Sequence, residues 1–100
     1  MTTSRTETLD AHPSVVFEQL LDVAEELGAV VHLLDRRSQQ AVFGEAARSF
    51  RVSVSATDSG YGKTNLHASW SPPGSPAAAR CARRLLRATR QRLGGLQAGR

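Results

Sequence analysis

The chain reads as an α+β domain: one antiparallel sheet of about five strands, in the order β-α-β-β-β-β-α, with two helices packed on one face. Three observations predict this. Residues 13–27 and the segment from 76 to 93 repeat their apolar side chains at helical spacing. Between them, segments alternate apolar and polar residues with a period of two. The connections between those segments are short, so successive strands pair as an antiparallel meander.

The elements follow in order. "SRTETL", residues 4–9, alternates weakly and predicts an edge strand. "AHP" stops it, and Pro13 suits the first position of a helix, where its missing N–H costs nothing. At about 100° per residue, Val16, Phe17, Leu20, Leu21, Val23, Ala24 and Leu27 share one side of that helix. Glu18, Asp22, Glu25 and Glu26 share the other, with Val15 the exception. Gly28 stands where a terminating glycine belongs. "AVVHLLD", 29–35, is an apolar β-branched strand; "RRSQ" turns the chain, and "QAVFGE", 40–45, returns.

"SFRVSVSAT", 49–57, is the cleanest strand pattern. Phe50, Val52, Val54 and Ala56 point one way, and Arg51, Ser53, Ser55 and Thr57 the other. "DSGYG" reads as a glycine-containing hairpin loop. "KTNLHASW", 63–70, turns Leu66, Ala68 and Trp70 inward, and Lys63, Asn65, His67 and Ser69 outward. "SPPGSP" is a rigid break before the last helix, and the residues after Leu93 read as a frayed tail. The helices must lie on the apolar sheet face, leaving a polar face to water.

The composition bounds the function. One hundred residues with 40% hydrophobic and 22% charged content make a single globular domain, ordered over 3–93. So short a chain holds no large internal cavity without losing much of its core. A single cysteine, Cys81, rules out an intrachain disulfide and a thiol-pair metal site. No apolar leader or membrane span is present, and the expected compartment is the cytoplasm. Charge is uneven: residues 1–50 hold four Lys/Arg against eight Asp/Glu, and residues 51–100 nine against one. That asymmetry serves either an acidic partner or neutralisation between the two halves.

Two stretches carry a resemblance: "HPSVVFEQLLDVAEELGAVVHLLDRRSQQAVFGE" and "SFRVSVSATDSGYGKTNLHASWSPPGSPAAARCARRLL". The chain resembles small bacterial domains of uncharacterised function with this same strand–helix–four-strand–helix order. The carrying features are a Pro-x-x-Val-Phe helix start at Pro13, a strand ending in Asp35, a Ser71–Ser75 loop and a basic final helix. More remotely, it is similar to a shortened helix-grip fold of the START/polyketide-cyclase kind. The resemblance implies an apolar pocket between the sheet and the last helix, and hands over no catalytic residue.

Candidate chemistry is sparse. "SGYGKT" ends like a phosphate-binding loop, but Thr57 stands where the first glycine is needed, and a strand rather than a helix follows. His12, His32 and His67 lack metal-ligand spacing, so no metal or cofactor is expected. His67 projects with Ser53, Ser55, Asn65 and Ser69, without an orienting acid. Cys81 falls on the apolar side of the last helix and reads as a small hydrophobe.

The last helix splits cleanly. Cys81, Ala82, Leu85, Leu86, Thr89 and Leu93 form an inner strip, and Arg80, Arg83, Arg84, Arg87 and Arg90 an outer one; Arg92 strays inward. No aromatic residue interleaves the arginines for base stacking. The acidic side of the first helix offers them partners within the molecule. The leading expectation is a small non-enzymatic domain that binds a protein partner or an apolar small ligand. The ligand would sit between sheet and last helix among Phe43, Phe50, Val52, Leu66, Trp70 and Leu85. A partner would meet Arg80, Arg83, Arg84, Arg87 and Arg90. The alternatives are nucleic-acid binding through that stripe and a minimal cyclase- or hydrolase-like enzyme using His67. The weak edge strand leaves monomer and homodimer both open.

Overall fold

The structure, a computed structural model, describes residues 3–47 and 49–98. Its elements run β1 (Ser4–Leu9), α1 (Pro13–Glu26), β2 (Val30–Asp35), β3 (Gln40–Gly44), β4 (Arg51–Gly60), β5 (Lys63–Ser71) and α2 (Pro76–Ala98). The strands form one antiparallel sheet in the order β1-β5-β4-β3-β2. The meander β2 to β5 is sequential, and β1 closes the far side against β5. This is the α+β architecture expected from the sequence.

Local chemistry sets the helix ends. Pro13 opens α1 after His12. At its other end the Gly28 N–H reaches the Glu25 carbonyl, and the Ala29 N–H reaches that of Ala24. This Schellman pair needs the left-handed backbone of Gly28, φ +75°. At the start of α2 the Ser75 hydroxyl accepts the Ala78 N–H at 3.1 Å, with Pro76 as the first helical residue. The helix continues past Leu93, through Gly94 and Gly95, to Ala98.

Both helices pack on β4 and β5 and on each other. Val16, Phe17, Leu20, Val23 and Ala24 of α1 are buried there, as are Ala78, Ala82, Leu85, Leu86 and Leu93 of α2. The sheet supplies Phe43, Val52, Val54, Ala56, Leu66, Ala68 and Trp70. Two buried hydroxyls are satisfied: Thr64 donates to the Ala11 carbonyl at 2.6 Å, and Thr89 to the Leu85 carbonyl at 2.7 Å.

Two details differ from the sequence reading. The β4–β5 loop is tighter than "DSGYG": β4 runs to Gly60, and only Tyr61 and Gly62 turn the chain. Both have positive φ, 56° and 72°, the twist-matched geometry of a two-residue hairpin. Asp58 accepts the Gly60 N–H at 2.8 Å and supports the irregularity before the turn. The apolar run of β2, for its part, is not core. It forms the sheet's other edge, and Val30, Val31, Leu33 and Leu34 are all exposed. A register shift between Val31 and Leu33 places these two against Phe43 and Val42, and so on opposite faces.

Candidate functional site

The six residues expected to line a pocket are held together, but as core. Phe43, Val52, Leu66 and Leu85 are wholly buried, and Phe50 and Trp70 nearly so. Val52 pairs with both Phe43 and Trp70 across the sheet, so three of the six form one cross-strand row. Of the six, Phe50 and Leu85 also border open space. They line a cleft of about 280 Å³ between the first turns of α2 and the β2–β3 side of the sheet. The end of α1 closes it with Leu27 and Gly28, and Ala29 and Gly44 add small side walls. Ala77 and Cys81 complete the apolar lining from α2. Arg80 and Arg84 stand in the same wall, with Glu45 on the facing strand end. Burial pushes the Cys81 thiol up from its ordinary pKa, against the opposing pull of the Arg84 guanidinium. It is therefore protonated at neutral pH and a poor nucleophile there.

The arginine stripe faces two ways. At about 100° per residue Arg80 and Arg84 occupy one flank of the stripe and line the cleft, while Arg83, Arg87 and Arg90 occupy the other and line a groove at the opposite sheet edge, at β1. There they form one wall of an open groove of about 640 Å³ whose other wall is Arg5 to Thr8. Glu7 lies between two guanidiniums, 2.7 Å from Arg90 Nε and 3.7 Å from Arg5 Nε. The acidic side of α1 takes up fewer arginines than its charge suggested. Glu26 pairs with the stray Arg92, raising the pKa of that guanidinium, and Glu18 pairs with Arg36 of the β2–β3 turn. Among the described residues, Arg80, Arg83, Arg84 and Arg87 make no ion pair. The Glu7–Arg90 pair was not anticipated. Its signal was present in "SRTETL", where Arg5, Glu7 and Leu9 share a side. Leu9 commits that side to the helices, so Glu7 had to meet whatever α2 places over the edge.

The polar sheet face is as read. Ser53 opposes Ser69, and Ser55 opposes His67. The His67 ring shares a hydrogen bond with the Thr6 hydroxyl, and the Thr8 hydroxyl donates to Asn65 at 2.9 Å. A shallow hollow of about 220 Å³ holds His67, Ser53, Ser55 and Ser69 beside Leu33 and Val42, with no carboxylate in its lining. Among the described residues no group of three or more His, Cys, Asp or Glu comes together as a metal site. No described helix is long and apolar enough to cross a membrane.

No protein-family model matches this chain, and no curated protein matches it in sequence. Solved structures do match in fold. The di-domain ARO/CYC StfQ from the steffimycin biosynthetic pathway superposes with a TM-score of 0.64 at 12% identity, over 90% of this chain and 44% of that one. This chain thus spans less than half the length of StfQ. The KanY protein, solved by NMR in solution, superposes with a TM-score of 0.60 at 13% identity, over 94% of this chain and 99% of that one. At such identities the likeness is one of fold alone, and it is consistent with a helix-grip-like arrangement.

Proposed function

We propose that this domain binds a small apolar ligand carrying an acidic group, in the cleft between α2 and the β2–β3 side of the sheet, without transforming it. The observation that carries the proposal is the composition of that cleft: Phe50, Leu27, Cys81 and Leu85 supply an apolar lining, and Arg80 and Arg84 supply cations with no ion-pair partner among the described residues. A helix-grip-like fold, shared with an ARO/CYC of a biosynthetic pathway, is compatible with such binding. The cleft is open and the sheet–helix core beside it is filled, so affinity is modest. An aromatic group burying about 150 Å² at about 25 cal/mol per Å² gains about 4 kcal/mol before the cost of association is subtracted, so this contact alone gives a Kd no tighter than millimolar. A guanidinium–carboxylate contact adds to that.

Cys81 provides the test. Maleimide labelling of its thiol, run at mildly alkaline pH to raise the thiolate fraction, is followed while 2-naphthoate is titrated to saturation. Saturable protection, weakened by Arg84→Ala, is expected. Labelling that stays unchanged up to the solubility limit of naphthoate would sink the proposal. Neutral 2-methylnaphthalene separates the two contributions: it should protect more weakly than naphthoate, and Arg84→Ala should leave it unaffected.

A further inference from the structure

We propose that the groove between β1 and α2 takes up an extended acidic segment of a protein partner, which adds to the sheet as a strand beside β1. Two independent features converge there. One is the backbone of an unpaired edge. The Trp70 N–H bonds to the Thr3 carbonyl, which makes Thr3–Trp70 a hydrogen-bonded pair in the antiparallel β1–β5 ladder. Alternation along such a ladder turns the N–H and C=O groups of Arg5, Glu7 and Leu9 toward β5. Those of Ser4, Thr6 and Thr8 then point out of the sheet, into the groove, and among the described residues nothing bonds to them. The other feature is charge. Four guanidiniums, of Arg5, Arg83, Arg87 and Arg90, face the groove against the single carboxylate of Glu7.

The spacing suits a strand with acids at alternate positions. Arg83 and Arg87 are separated by one helical turn, an axial rise of about 6 Å. Side chains two apart on a strand are separated by about 6.7 Å and point the same way. Alternate acidic side chains can therefore turn toward α2 while the backbone between them pairs with Ser4, Thr6 and Thr8. Nucleic acid would use the cations but not the strand edge, and no aromatic residue lines the groove to stack a base.

The probe is a short fluorescein-labelled peptide alternating Glu with Thr, read by fluorescence anisotropy on the whole chain. Arg87→Glu reverses one wall charge. Thr6→Pro removes one outward N–H and leaves every side-chain charge in place. Proline fits there because that N–H makes no ladder bond. Both variants should weaken peptide binding about tenfold. Binding should also fade as salt rises from about 0.01 M to about 1 M, where the screening length shrinks to about 3 Å. A Lys–Thr peptide should not bind. Peptide binding that Thr6→Pro leaves untouched would reduce the groove to a diffuse cationic patch and overturn the proposal. So would tighter binding of a single-stranded oligonucleotide, or no peptide binding at low salt. If Thr6→Pro does not fold by circular dichroism, amide exchange on the wild type decides. Peptide must slow exchange at Ser4, Thr6 and Thr8, and unchanged exchange there refutes strand addition.

Discussion

At the scale of single residues, Asp35 shows how one side chain fixes a turn. Its carboxylate accepts the N–H groups of Arg37 and Ser38 at 3.1 and 3.2 Å, closing the β2–β3 connection. The chain then reaches Gln39 in the left-handed region, φ 57°. The Ser38 hydroxyl and then the Ser38 N–H hold the Asp35 carboxyl below its ordinary value of 3.8, against desolvation, with a lesser contribution from the Arg37 N–H. Unfolding releases those bonds and returns the group to its ordinary value. The turn therefore adds stability above that value and loses it as pH falls through the lower, folded one. In urea titrations, wild type should be more stable than Asp35→Ala at neutral pH, and the gap should close as acidification takes the pH down through the lowered, folded value. A gap independent of pH would mean that the carboxylate's hydrogen bonds are not what the substitution removes. These side-chain caps were only partly legible. "RRSQ" announces a turn, but which oxygen closes it depends on the path of β2.

At the scale of elements, α2 joins two distinct surfaces. Its first turns wall the cleft, and its middle turns wall the β1 groove, so one arginine stripe is divided between two sites. Helical periodicity separates the inner strip of α2 from the outer one, and Ala82, Leu85, Leu86, Thr89 and Leu93 of the inner strip are buried. It does not say which sheet edge each flank of the arginine arc meets, and that decides that Arg80 and Arg84 line the cleft while Arg83, Arg87 and Arg90 line the β1 groove. Phe50 shows a similar limit: it reads as part of the β4 alternation, but it lies just before the strand, buried against the cleft. The C-terminal turns of α2 offer a direct test. Gly94 and Gly95 are exposed, and a Cβ built on either meets no neighbour within 4 Å. Helical glycine costs about 0.5–1 kcal/mol relative to alanine. Gly94→Ala and Gly95→Ala should each raise the thermal midpoint and the helical signal by circular dichroism. No gain from either would mean that this end of the helix adds nothing to global stability.

At the scale of the whole molecule, the core is a single layer between the two helices and the middle of the sheet. Phe43 is wholly buried in it, whereas Leu33, one strand away, is 56% exposed. Phe43→Ala should cost about 3–5 kcal/mol, a large part of the 5–15 kcal/mol that holds a typical domain together. Leu33→Ala should change the urea midpoint little; equal losses would mean that β2 packs in solution against something. The order of strands and helices was legible because periodicity and short loops leave few topologies. The site was less legible because both grooves lie where the sheet ends: the weak alternation of residues 4–9 marks β1 as an edge, but the apolar run of β2 reads as core and hides the other. Those two edges are opposites in character. β1 presents charge and threonine, while β2 presents valine and leucine on both faces. Head-to-tail stacking of copies would have to seat one kind of edge on the other, and the mismatch removes that route to an open filament.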